Sequence, residues 1–159
     1  MFLETNKLSK QYGSKTVLDE VRLKIHKGDF VSIVGPSGSG KTTLLNILSL
    51  ISNQTSGDYW FLGRDNRTIL SNYNDLTNCR KEIGVMSNLS ELLPGLTIRD
   101  NILLPAYINN NSNSIEKNLQ ELVRFTDIVD LQNEKPISLS SGERQWALLC
   151  RALIMNPKI

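Results

Sequence analysis

The stretch Gly35, Pro36, Ser37, Gly38, Ser39, Gly40, Lys41, Thr42, Thr43 constrains this chain more than any other. It fits the spacing G-x-x-x-x-G-K-[ST], with the apolar run "FVSIV" before it and an apolar, helix-like run from about Lys41 to Ser52 after it. A buried strand, a glycine-rich loop and a helix in that order make a phosphate cradle. Gly38 and Gly40 let the backbone come within hydrogen-bond range of phosphate oxygens, while the helix adds a partial charge of roughly +0.5 at its N-terminus. Lys41 is expected to bridge the β- and γ-phosphates of a nucleotide, the Thr42 hydroxyl to ligate Mg2+, and Thr43 to donate to the α-phosphate.

Around the loop, "VLDEVRLKIHKGDFVSIVG" reads as two strands: Val21, Leu23 and Ile25 alternate with charged residues, and Lys27-Gly28-Asp29 turns the chain into "FVSIV". "SGDYWFLGRD" is a further short strand, and "KEIGVMS" another candidate closed by the loop "NLSELLPGLT". Helical character begins at Thr97 and is expected to break at Pro105 and in the polar tract "NNNSNS". After that tract Ile115, Leu119, Leu122, Val123 and Thr126 fall on one helical stripe with Ser114 at the N-cap position. A last helix begins inside "SLSSGERQ" and runs to about Met155, where Asn156-Pro157 stops it.

Charge and composition narrow the classes. At 159 residues the chain is one domain by prior, with Lys and Arg scattered and a net charge of +2, so no footprint for nucleic acid is expected. No stretch approaches the ~20 apolar residues a spanning helix needs, and "MFLETNKLSK" carries charge where a signal peptide has an apolar block. Cys79 and Cys150 are far apart, so reduced thiols are the default. His26, the only histidine, sits in an alternating stretch and reads as a solvated strand position.

The phosphate loop alone would suit a guanylate kinase almost as well. About a hundred residues later, however, "SLSSGERQWALLCRAL" opens a long helix on a Ser-Gly loop, a second phosphate-seeking helix N-terminus for which a small nucleotide kinase has no use. Here the chain resembles the ABC ATPase family, whose signature reads L-S-G-G-Q or L-S-G-G-E followed by Q-R-x-A-x-A-R-A-L. Leu139, Ser140, Gly142, Glu143, Gln145, Arg151, Ala152 and Leu153 fall on that pattern without gaps. The resemblance extends over essentially the whole chain, and "LLPGLTIRDNI" places it nearest the lipoprotein-release, macrolide-export and antimicrobial-peptide-export branch.

The resemblance implies an α/β fold: a P-loop NTPase core with N-terminal antiparallel β-strands and an inserted helical subdomain, incomplete at the C-terminus. The division it implies is a nucleotide-binding core over 1–87, the Q-loop and helical subdomain over 88–137, and the signature motif and helix over 138–159. ATP and Mg2+ are the implied cofactors. Tyr12 would stack on adenine with Val17 beside it, and Gly35 to Thr43 would form the Walker A loop. Ser140, Ser141, Gly142 and Glu143 would reach the γ-phosphate held by a second ATP-binding subunit, the same or a different chain, in a head-to-tail dimer. A transmembrane permease would dock through the Q-loop region, which puts the protein in the cytoplasm, peripheral on the inner face of the cell membrane. A soluble non-transport ABC ATPase and an ATP-binding fragment without turnover are the competing readings.

Three departures stand out. Asn88 occupies the place of the Q-loop glutamine that contributes to the Mg2+ site, one methylene shorter. Ser141 replaces a signature glycine, which is tolerable only if that backbone has no need of a positive φ. Trp146 replaces an arginine and shares a helical stripe with Leu149, Cys150 and Leu153, which suggests packing. The Walker B strand is expected to start at about Ile159; its aspartate, the following glutamate and the switch histidine are not in this sequence, and no catalytic residue is assigned.

Overall fold

The computed structural model describes residues 2–87, 90–109 and 114–159; Asn88 and most of the "NNNSNS" tract lie outside them. The chain divides into two compact units, 1–80 and 81–159.

In the first unit β1 (Leu3–Tyr12) and β2 (Lys15–Ile25) form a long antiparallel hairpin, with Leu3 opposite Ile25 and Tyr12 opposite Lys15. The strand β3 (Ser56–Phe61) lies antiparallel on the other edge of β1, and the two-residue β4 (Arg64–Asp65) completes a sheet of order β2-β1-β3-β4. Gly57, at φ 82, sits where a Cβ would land on the Lys7 carbonyl, at a register shift between β1 and β3. Only glycine allows that backbone approach. One face of the sheet is buried through Leu3, Leu8, Tyr59 and Phe61, together with Leu44, Ile47 and Leu48 of α1 (Lys41–Leu48).

Helix α1 stops four residues short of the expected Ser52: the chain turns at Ser49, and Leu50 adopts φ 57. Two donors hold this end, where carbonyls lack helical partners. The buried Tyr59 hydroxyl donates to the Leu48 carbonyl at 2.6 Å, and Arg80 donates twice to the Leu50 carbonyl at 3.1 and 2.7 Å. Two short helices follow β4 that the sequence pattern does not announce, α2 (Asn66–Ser71) and α3 (Tyr73–Lys81). Local polar side chains start both. Asp65 accepts from the Arg67 amide at 2.8 Å, and Asn72 accepts from Asn74 and Asp75 at 2.9 and 3.3 Å.

The run "FVSIV" departs from expectation. It forms no strand, and Phe30 and Val34 are 98% and 84% exposed. A strand is held by ladder bonds to a neighbour, and among the described residues nothing pairs with this segment. His26 follows β2 and is exposed, its backbone N–H donating to Asp29 at 2.7 Å.

In the second unit α4 (Ile98–Ile108), α5 (Ile115–Phe125) and α6 (Ser141–Leu153) pack around Ile98, Ile102, Leu103, Leu119, Val123, Ala147, Leu148, Cys150 and Ile154. The α5 stripe is as read, with Ile115, Leu119, Val123 and Thr126 buried and Leu122 packed against them. Pro105 does not break α4, which continues to Ile108. An interior proline costs about 3 kcal/mol, yet Ile102, Leu103 and Ala106 around it are all buried, and each large apolar side chain so placed contributes roughly 1.5–3 kcal/mol. Burial outweighs the lost bond.

"KEIGVMS" is likewise not a strand. Lys81 ends α3, but Ile159 donates to the Glu82 carbonyl at 3.1 Å and accepts from the Gly84 amide at 2.7 Å. Those two bonds are one rung of a parallel pairing across Ile83. A Cβ on Gly84 would meet the Ala152 carbonyl at 2.7 Å and the Pro157 ring at 2.9 Å, so α6 ends hard against the rung.

Candidate functional site

The phosphate loop begins after the exposed "FVSIV" segment and ends at Gly40, which caps α1 in the left-handed region at φ 89. A Cβ at Gly40 would lie 2.8 Å from the Val17 carbonyl, 2.8 Å from Leu18 Cδ2 and 3.2 Å from Val17 Cγ1. The start of β2 therefore packs directly on the loop, with Val17 against Gly40. Pro36 accepts from the Ser39 amide at 3.3 Å, which closes the loop into a turn. The Lys41 ammonium donates to the Gly35 and Pro36 carbonyls at 2.9 and 2.7 Å, drawing it across the loop's opening.

No side chain caps the first turn of α1 and no acidic residue lies in it. The amides at that end, with the positive end of the helix dipole, face the loop without a competing carboxylate. Ser37, Gly38 and Thr42 are exposed, and Ser39 is too. These residues fit a polyphosphate: amide donors, one ammonium and two hydroxyls on consecutive residues of the first turn, Thr42 and Thr43, with no anion among them. Tyr12 closes β1 at the hairpin end and is 55% exposed. Its ring lies 5.1 Å from the Lys10 ammonium.

The second motif forms a fully capped helix start. Ser140 is the N-cap of α6; its amide donates to Glu143 Oε2 at 2.6 Å and its Oγ accepts from the Glu143 amide at 3.3 Å. Hydrogen bonding from the Ser140 side chain, and then from its backbone amide, holds the Glu143 carboxyl below the ordinary carboxylate range. Ser141 and Gly142 form the first helical turn and are exposed. Neither has a positive φ, so serine replaces glycine at 141 without backbone strain. Nothing lies within 4 Å of a Cβ built on Gly142.

Trp146 does not pack as its stripe suggests: it is 45% exposed, and the buried face of α6 is Ala147, Leu148, Cys150 and Ile154. Its helix has one apolar face, and that face is rotated away from residue 146. Arg151 was read only as a signature residue. It donates to the Glu91 carbonyl at 2.8 Å, linking α6 to the loop that follows position 88. Burial of the guanidinium lowers its pKa. Asn88 lies outside the described residues, and among those described no cluster of three or more His, Cys, Asp or Glu side chains forms a metal site.

A glycine loop wrapped on a helix N-terminus, with a second serine-capped helix start, defines a nucleotide-binding ATPase domain of the P-loop type. The comparisons with known proteins specify which. The family model described as ABC transporter matches residues 18–159, and this chain belongs to that family. It is 36% identical over 157 residues to the lipoprotein-releasing system ATP-binding protein LolD of Bacteroides thetaiotaomicron, spanning 96% of this chain and 70% of that one. It is 34% identical over 158 residues to the spermidine/putrescine import ATP-binding protein PotA of Spiroplasma citri, spanning 99% of this chain and 43% of that one. Among solved structures it matches the dimeric bacterial ABC transporter cassette MJ0796 with a TM-score of 0.85 at 31% identity, covering 98% of this chain and 71% of that one. A post-hydrolysis form of that cassette bound to ADP and Pi matches at 0.83 and 30%, with the same coverage. Relatives thus act in release and in import alike. The chain is an ABC ATP-binding domain homologous to transporter ATP-binding subunits.

Proposed function

We propose that this chain is the ATP-binding subunit of an ABC transporter, working as a head-to-tail pair at the cytoplasmic face of a membrane permease. The observation that carries the reading is the pairing, on one chain, of the Gly35–Thr43 cradle with an exposed Ser140 at the start of a capped helix. Lys41 and the α1 amides hold the β- and γ-phosphates of ATP, Thr42 with Asn88 holds Mg2+, and Tyr12 and Val17 receive adenine. Bound Mg2+ supplies charge neutralisation at the phosphates. The Ser140 hydroxyl and the Gly142 amide reach the γ-phosphate on the second subunit, and the dimeric neighbour supports that arrangement. Charge-assisted bonds of this type are worth about 1.5–3 kcal/mol each, so ATP holds the pair closed and ADP does not. That difference in affinity between nucleotides is what a switch requires. The segment from Asn88 to Arg99 is the path to the permease.

Two variants separate the roles. Lys41→Ala is expected to abolish ATP binding in calorimetry. Ser140→Arg is expected to leave single-chain binding intact and to stop ATP-driven dimerisation in sedimentation velocity. Equal loss of binding in both would refute the arrangement in which one subunit's serine completes the other's site.

A further inference from the structure

The hairpin end that carries Tyr12 is braced by more than its ladder. Lys10 and Tyr12, two apart on β1, share a face of the strand. The Lys10 ammonium lies 5.1 Å from the Tyr12 ring centroid and also donates to the Asn53 carbonyl at 2.5 Å. Between them, the Gln11 amide donates to Thr55 Oγ1 at 3.0 Å and its side chain donates to Thr16 at 3.3 Å. The backbone is thus tied to the 53–55 segment and to β2, while the ring is backed on one face by a cation that is itself anchored.

We propose that Lys10 is a positioning residue for the nucleobase: its anchored ammonium fixes the Tyr12 ring and leaves a single face of that ring for a purine. Two physical effects act together. An ordered ring has lost its rotamer freedom before the ligand arrives, so less entropy is lost on binding. A cation on one face also draws π-density towards itself, leaving the other face electron-poorer and a better stacking partner for an electron-rich purine. The inference rests on the reading that Tyr12 stacks on adenine. It adds that the stack has three layers, lysine, tyrosine and base, of which the first is supplied by the chain. Asn53 takes part because its carbonyl keeps the ammonium from turning to solvent.

The test is a double-mutant cycle read by calorimetry on the whole chain, with Mg-ATP and Mg-tripolyphosphate as the two probes. Lys10→Met is expected to weaken ATP about 2- to 5-fold, the range of an exposed cation–π contact, and to leave tripolyphosphate unchanged. Lys10→Arg, which keeps a cation able to stack, restores ATP affinity. In a Tyr12→Ala background the Lys10→Met effect disappears. Thermal unfolding of each variant shows that it is folded. Equal weakening of both probes would overturn the proposal, because the lysine would then act as a charge near the phosphates. An ATP affinity unchanged by Lys10→Met but lowered by Tyr12→Ala would overturn it and spare the stacking reading. No effect of Tyr12→Ala would remove the stacking reading and the proposal with it.

Discussion

Gly40 and Gly142 stand at the start of α1 and α6, and alanine at each should have opposite effects on stability. Gly40 has φ 89, and an added Cβ would press on the Val17 carbonyl and Leu18 Cδ2, each at 2.8 Å. The left-handed backbone costs alanine about 1–2 kcal/mol, and displacing packed atoms costs roughly 1–3 kcal/mol more. One of the two contacts is backbone, which cannot rotate away, so the sum falls at about 2–5 kcal/mol. In a chain of this size each kcal/mol moves the unfolding midpoint by about 2–4 °C, so Gly40→Ala should lower it by about 10 °C and by no less than about 4 °C. Gly142 has no positive φ and open space where the Cβ would go. Alanine there should raise the midpoint slightly, by up to about 1 kcal/mol of helix propensity. Thermal unfolding followed by circular dichroism without nucleotide measures both. An unchanged midpoint for Gly40→Ala, or a clear fall for Gly142→Ala, would refute the assignment of one glycine to conformation and the other to open access.

Other expectations follow from single contacts. Tyr59→Phe removes the buried donor to the Leu48 carbonyl, leaves that oxygen unmatched, and should cost about 1–3 kcal/mol in urea unfolding; an unchanged midpoint would show that water replaces the hydroxyl. Glu116 accepts from Arg99 at 3.0 and 2.6 Å, and that pairing lowers its carboxyl pKa below the ordinary 4.5. Its contribution is therefore complete above that value and lost as pH falls through the lowered one. The Arg99 and Glu116 side chains are 35% and 60% exposed, so the pair is worth at most about 1 kcal/mol, and the gap in stability between Glu116→Gln and the parent should be widest at pH 7 and shrink as pH falls below the carboxylate range. A difference independent of pH would exclude the ion pair as its source.

The glycine-rich loop ahead of α1 and the serine-capped start of α6 were legible as local structure because their residue types come at fixed spacing, and the structure adds the contact of Val17 with Gly40 that no spacing encodes. The α5 stripe was legible for a different reason: one buried face of an amphipathic helix imposes its period on the sequence. Helices α2 and α3 were not, since "NRTILSNYNDLTNCRK" is mostly polar and is started by side-chain bonds from Asp65 and Asn72. An Asp or Asn immediately ahead of each short polar run was the available signal. "FVSIV" misled because an apolar run states a preference for burial, whereas a strand also needs a neighbour to bond. Pro105 misled in the opposite sense, local cost yielding to the packing of Ile102, Leu103 and Ala106. Trp146 shows the limit of a stripe drawn from one helix alone, because the face that is buried is chosen by the helices packed against it.

The rung between Glu82, Gly84 and Ile159 has a mechanical consequence. Helix α6 has 13 residues and so is about 20 Å long. Its far end is wedged where Gly84 leaves no room for a side chain, and Arg151 ties the last turn to Glu91. Ser140, at the other end, is exposed to solvent. With that end held, a tilt of the helix by about 5° would carry Ser140 about 2 Å, enough to make or break a hydrogen bond.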